Sequence, residues 1–217
     1  MVQPPFFMSV DRFVTQLRRA TPPANCINPW RGRSAAAVMR QTNLSLYLQE
    51  MVVQKPHVLL VGEAPGYRGC GLTGVPFTSE RILSQGAAGL FGANTAYKIN
   101  SSGKEPTSEA SATIVWQTLN NYSNDLPIIW NAFPFHPHKA DNVKSNRPPT
   151  IKELQVGAIF LGKLLKLFPS VQTVVAVGNR ADECLNRMII AHQKVRHPSH
   201  GGKQEFVAGL DKILKVR

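Results

Sequence analysis

Two periods alternate along the chain. Short, nearly continuous apolar runs occupy 57–62 (HVLLVG), 127–132 (PIIWNA) and 173–178 (TVVAVG), with a weaker run at 193–196. Strands read this way when helices cover both faces of a sheet, so these runs predict a largely parallel sheet and an α/β protein. Between them the period lengthens. The clearest helix is predicted over 150–168, where Thr150 and Glu153 form a capping box, Leu154, Ala158, Leu161, Leu165 and Phe168 recur on one face, and Pro169 closes it. Asn179 is expected to cap the next helix with Asp182 in its first turn, and Val207, Leu210, Ile213 and Leu214 pattern the last one.

Two stretches fit neither period. Residues 19–40 carry Pro22, Pro23, Pro29, Gly32 and clustered arginines, so residues 1–40 are expected to be an N-terminal helix and an irregular basic arm, ahead of a main domain at 41–217. Residues 91–109, with Ser101-Ser102-Gly103 and Pro106, read as a long loop and the segment expected to move. A chain of 217 residues suits one globular domain overall.

Charge narrows the partners. Lys and Arg number 25 against 13 Asp and Glu, a formal net charge of +12. Such an excess favours polyanions, because each cation that neutralises a phosphate releases condensed counterions; a solvated basic surface is the plain alternative. No apolar run approaches the roughly 18 residues of a membrane span, and the opening MVQPPFFMSVDRF lacks the order of a signal peptide. A soluble protein of the cytoplasm is expected, nucleoid-associated if bacterial. Cys26, Cys70 and Cys184 are dispersed and form no C-x-x-C pair, so they read as reduced thiols and not as a cluster or zinc site.

The chemistry concentrates where strands end, the edge at which open α/β sheets bind ligands. The first loop runs from Gly62 through Glu63, Ala64, Pro65, Gly66 and Tyr67 to Phe77. Its Gly69-x-Gly71-x-x-Gly74 matches a dinucleotide fingerprint only formally, since Gly74 leads into Val-Pro-Phe and not a helix. A tight backbone cage presenting Phe77 as a stacking face is one reading, and a glycine-rich turn over a buried Phe the other. In the second loop, Asn131 offers a donor and an acceptor suited to a base edge, or else ties down the adjacent turn. His136 and His138, spaced i, i+2 with no nearby acid or Cys, read as surface loop residues and not as metal ligands. In the third, His197 follows a strand and is fixed by Pro198, so it can donate to charge developing on a leaving group, or be an ordinary loop histidine. Gly201-Gly202 lead into a helix whose first amides favour phosphate.

Taken together and in order, these residues resemble the uracil-DNA glycosylase superfamily. Gly62-Glu63-Ala64-Pro65-Gly66 is similar to the first motif of the family 4 enzymes. Thr73-Gly74-Val75-Pro76-Phe77, Asn131-x-Phe133-Pro134 and His197-Pro198-Ser199 resemble the single-strand-selective monofunctional branch. The resemblance spans roughly residues 57–203. It implies a three-layer α/β/α sandwich around a central four-stranded parallel sheet, and cofactor-free hydrolysis of the N-glycosidic bond of a flipped uracil or related base in DNA.

Carried over by residue, Phe77 would stack on the base, Asn131 would read its edge and His197 would stabilise the departing anion. Ser199 and His200 would sit on the segment that enters the duplex, and Lys203 would meet a phosphate. Arg147 and Arg196, with Arg31, Arg33, Lys139, Lys144 and Lys194, are candidates for a phosphate track flanking the pocket. Several branches place Asp or Asn third in the first motif to position water, whereas this chain has Ala64. Glu63 is the nearest carboxylate, either activating water or holding the loop. Acids expected soon after the motif are replaced by Tyr67-Arg68-Gly69-Cys70, which implies tolerance of 5-substituted uracils. Three dispersed cysteines cannot supply the four that bind the family 4 cluster, so no cofactor is expected. A catalytically silent DNA-binding relative is the alternative, and a monomer is expected in either case.

Overall fold

The computed structural model describes residues 8–100 and 105–215. The ends of the chain and residues 101–104, which belong to the long loop expected at 91–109, lie outside the described residues. The first half contains α1 (Val10–Arg19), β1 (Cys26–Ile27), α2 (Ala35–Gln54), β2 (Val58–Gly62), α3 (Cys70–Thr73), α4 (Glu80–Gln85) and α5 (Ala110–Leu119). The second contains β3 (Ile128–Asn131), β4 (His136–Pro137), α6 (Ile151–Leu167), β5 (Thr173–Val177), α7 (Gly178–Arg187), β6 (Gln193–Val195) and α8 (Lys203–Leu214).

Four strands form one parallel sheet in the order β3-β2-β5-β6, flanked by helices, as the sequence leads one to expect. Every residue of β2 and β3 is buried, which is why their runs lack polar alternation. The register pairs Gly62 with Asn131, so the first and second loops leave the sheet side by side. Helix α6 has the predicted capping box, with the Thr150 hydroxyl and the Glu153 carboxylate each accepting from the other's backbone N–H. It buries Leu154, Phe160, Leu161 and Leu164 against the sheet.

Four expectations need correction. The segment 19–40 is irregular up to α2, yet it is anchored and not a free-standing arm: Trp30 is fully buried, stacks on Trp130 at 6.1 Å and donates from Nε1 to the Gly74 carbonyl at 3.1 Å. Asn28 donates to the carbonyls of Leu17 and Ala20, closing α1, and residue 40 lies inside α2. Arginines and prolines dominate the composition of this stretch and hide two anchoring side chains. Second, β1 pairs antiparallel with β4 and draws His136 and His138 into the interior; His136 is only 3 % exposed, its ring nitrogens 2.8 Å and 3.1 Å from the carbonyl oxygens of Pro65 and Val143. These histidines brace loops and are not surface residues. Third, α7 begins at Gly178 with Val177 in the cap position, so Asn179 does not cap it, and Asp182 instead pairs with His192 and Lys194 at 3.0 Å each. Fourth, the described parts of 91–109 are tied down. Phe91 and Tyr97 are buried, Asn43 bonds both ways with the Lys98 backbone, and Glu80 accepts from the N–H groups of Asn100 and Thr107.

Candidate active site

A cleft of about 460 Å³ opens at the C-terminal edge of the sheet, within the range of small-molecule sites. Its floor is set by close approach at Gly62. A Cβ there would lie 2.2 Å from Phe77 Cε2 and 2.8 Å from Asn131 Oδ1, so only glycine lets the ring and the amide come together over the end of β2. Phe77 takes a positive φ of 50°, a costly conformation for an aromatic residue. It is held there by the Trp116 indole of α5, which donates to the Phe77 carbonyl at 2.9 Å. Asn131 is 4 % exposed, yet its side-chain amide has no hydrogen-bond partner among the described residues. The turn-holding alternative would have given that amide a partner in the fold. Its donor and acceptor are left to whatever enters the cleft.

Across the cleft, His197 packs on Gly178, where a Cβ would come within 2.6 Å of His197 Cβ. The Ser199 backbone N–H donates to His197 Nδ1 at 3.3 Å, and the Ser199 hydroxyl lies 2.7 Å from the same nitrogen. A backbone N–H can only donate, so Nδ1 is the acceptor and the ring proton of neutral His197 is on Nε2. Burial, followed by the charges of Arg196 and His200, lowers the His197 pKa and favours that neutral form. The result is an oriented Nε2–H on a residue lining the cleft.

Two carboxylates line the same space. Glu63 has one buried oxygen, Oε1, with no hydrogen-bond partner, so the side chain does not hold its loop through that atom. Burial raises its pKa, opposed by Arg180. Glu109, at the start of α5, is pushed up to about 7 by burial alone. The neighbouring Cys70 thiol is raised as well, by burial and then by Glu109, and is inert as a nucleophile.

The cleft thus gathers Glu63, Ala64, Pro65, Gly66, Phe77, Asn131, Arg196, His197, Ser199 and His200. Gly62 lies beneath it. Tyr67 is outside the lining, its ring 6.4 Å from that of His136, and Lys203 lies at the start of α8 with its ammonium 3.5 Å from Gln117 Oε1. Arg147 is placed elsewhere. Its guanidinium forms two bonds of 2.8 Å and 2.6 Å with Glu153 and donates to the carbonyls of His138, Pro148 and Asn25, so its donors are used inside the fold and not offered to a phosphate. Lys194 is similarly paired with Asp182.

Reasoning from the sequence overlooked Glu109, Ser111 and Arg180. Arg180 had a signal, since it follows the end of β5 by three residues and strand ends are where ligands bind. Glu109 and Ser111 had none, being brought in by the packing of α5 against Phe77.

A parallel α/β sheet with a polar, aromatic-floored cleft at its carboxyl edge is an arrangement suited to a small ligand. A family model described as the uracil DNA glycosylase superfamily matches residues 50–214, and the chain belongs to that superfamily. Among solved structures, the crystal structure of wild-type Pedobacter heparinus SMUG2 is similar with a TM-score of 0.61 and 16% identity, covering 95% of this chain and 96% of that one. A search of curated proteins gave no match. Among the described residues, no helix is long and apolar enough to cross a membrane.

Proposed function

We propose that the protein is a monofunctional uracil-DNA glycosylase, which takes a uracil or a related deaminated or 5-substituted base out of the DNA stack, hydrolyses its N-glycosidic bond and leaves an abasic site. The observation that carries this reading is the Ser199 N–H to His197 Nδ1 bond, because it fixes a neutral imidazole with its proton on the nitrogen left free. In the reaction the C1′–N bond breaks and the electron pair leaves with the base. The His197 Nε2–H then stabilises the negative charge on a carbonyl oxygen of that base, without having to give up a full proton. Phe77 stacks on the planar ring and Asn131 pairs with its polar edge. Water adds to C1′, and Glu63, whose raised pKa makes it a better base, accepts the proton.

Among the described residues lining the cleft there is no lysine, which supports hydrolysis over an amine-linked intermediate. Arg196 and Lys203, both exposed, are candidates for the flanking phosphates. We read the protein as a cytoplasmic monomer acting on DNA.

The test is release of uracil from a labelled oligonucleotide, read as strand breaks after alkali. Breaks before alkali would refute the monofunctional assignment. His197→Ala is expected to lose about 10²–10³-fold in kcat while staying folded, the usual cost of removing one charge-stabilising donor. Full activity in that variant would overturn the site. Ala64, which leaves the water position of related motifs without a polar group, favours a second reading as a silent DNA-binding protein; salt-sensitive DNA binding without base release from any lesion would support it.

A further inference from the structure

The segment 139–146, which follows the second loop, takes no part in the reaction above and adds nothing to the core. Val143 stands in it 55% exposed, between the exposed cations Lys139 and Lys144, with Asp141 as the acid of the segment. A single exposed valine explains nothing by itself. Its setting does.

The backbone around Val143 is closed on itself. The Asn142 N–H donates to the Lys139 carbonyl and the Ser145 N–H to the Asn142 carbonyl, each at 3.1 Å. The Lys139 N–H donates to the Ser145 hydroxyl and the Lys144 N–H to the Asn142 side-chain oxygen, each at 2.9 Å. This turn is also tied to the cleft. His136 sets Nδ1 2.8 Å from the Pro65 carbonyl oxygen and Nε2 3.1 Å from the Val143 carbonyl oxygen. Pro65 lines the cleft, so the width of one buried imidazole separates the cleft wall from the Val143 backbone. The segment is distinct from the one that carries Ser199 and His200, which leaves the sheet after β6.

We propose that Val143 is a contact to double-stranded DNA: with a nucleotide in the cleft, its side chain packs against the base stack beside the gap, and Lys139 and Lys144 meet phosphates on either side. A valine cannot bind phosphate, and it gains only by leaving water against apolar surface, which in DNA is the face of a base. The closed turn presents it already ordered, so little conformational freedom is lost on contact. The two lysines give the complementary charge. In a duplex the stack stands at a fixed place relative to the flipped nucleotide, whereas a single strand swings clear, so the contact selects duplex substrate. This rests on the cleft receiving a flipped nucleotide, as proposed above, but not on its catalysing hydrolysis.

The test separates the two. Binding is measured with one oligonucleotide carrying 2′-fluoro-arabinouridine, in which fluorine resists glycosidic cleavage, as a duplex and as a single strand. Uracil release from an ordinary deoxyuridine duplex is measured in parallel. The wild-type protein is expected to bind the duplex more tightly. Val143→Ser should weaken duplex binding by about ten-fold, the low end for burying one valine side chain, and leave single-strand binding within about two-fold. Val143→Leu, still apolar, keeps the duplex preference. Ile189→Ser is the control, since Ile189 is 94% exposed between α7 and β6, at the edge of the sheet away from the cleft, and should change neither. Lys139→Gln combined with Lys144→Gln should flatten the logarithmic salt slope of duplex binding by about two.

Wild-type duplex binding by Val143→Ser, or an equal loss on duplex and single strand, overturns the contact. An equal duplex loss in Ile189→Ser overturns it too, since position would then not matter, and an unchanged salt slope overturns the part assigned to the lysines. A loss confined to the duplex, with no base release by wild type, leaves the contact standing and refutes the glycosylase. Base release by wild type with an unaltered duplex preference in Val143→Ser refutes the contact alone. Val143→Thr, which keeps the shape and replaces one methyl by a hydroxyl, provides the same reading if Val143→Ser fails to fold.

Discussion

Arg147→Ala should damage stability and leave DNA affinity nearly intact, the reverse of what its place in a basic sequence suggests. The guanidinium grips Glu153 through both nitrogens at 2.8 Å and 2.6 Å, with side-chain exposures of 22% and 5%. Burial alone would raise the Glu153 pKa. The bonds from Arg147, Cys26 and the Thr150 N–H more than offset that, and hold it at about 2 against an ordinary 4.5. A depression of that size corresponds to about 3 kcal/mol of stability at neutral pH. Removing the cation leaves a buried carboxylate uncompensated, for which about 3–5 kcal/mol is typical; the partial exposure of Arg147 places the expected loss near the lower figure. For a chain of this size the melting temperature should then fall by about 6–12 °C.

The pH dependence follows from the sign. A carboxylate with a depressed pKa stabilises the fold above pH 4.5, and that contribution is lost as pH falls through about 2. Urea unfolding of wild type and Arg147→Ala from pH 7 to pH 2.5 should show curves that converge toward acid, and a cycle with Glu153→Gln should show strong coupling. A loss under about 1 kcal/mol at pH 7, together with a weaker salt dependence of DNA binding, would return Arg147 to the phosphate track and refute the reasoning.

Gly62→Ala places a methyl group 2.2 Å from the Phe77 ring and 2.8 Å from the Asn131 oxygen, so base release should fall by about 10²-fold with the fold retained; wild-type turnover would mean that the two side chains are not held by this contact. The His197 pKa is lowered by burial, then by Arg196 and His200, so activity should hold above pH 6.5 and fall only at lower pH; Arg196→Gln should move that fall to higher pH in a pH–rate profile, and an unmoved limb would remove Arg196 from the site. Neutralising Lys203 should flatten the logarithmic salt slope of DNA binding by about one, whereas Lys194→Gln, already paired with Asp182, should leave it unchanged; titrations at several salt concentrations decide both.

How much of this structure is legible in the sequence depends on how local each signal is. Strands β2, β3 and β5 were legible because continuous burial writes an apolar run, and α6 because a capping box fixes its first residue. The carboxyl-edge rule then placed Phe77, Asn131 and His197 near one another. Features that depend on one distant partner were not legible. His136 is buried by a two-residue ribbon with Cys26 and Ile27, too short to leave a period. Arg147 looks like any exposed cation until Glu153 turns toward it from the first turn of α6. Glu109 precedes an unremarkable helix, and nothing in its neighbours in sequence announces the cleft.

The charge that first pointed to a polyanion is distributed differently from the way the chain suggests. Two of the cations placed beside the pocket by sequence, Arg147 and Lys194, are consumed by Glu153 and Asp182, while the cleft itself takes in two carboxyls, Glu63 and Glu109, against Arg180 and Arg196. A cleft built to hold phosphate would not line itself with two carboxyls that make no hydrogen bond among the described residues. One built to hold an uncharged base is compatible with them, because a raised pKa makes a carboxylate a better proton acceptor when it faces water. Acids of raised pKa set beside two arginines, and not a run of cations alone, are therefore what the proposed base-excising pocket would require and a general nucleic-acid groove would not.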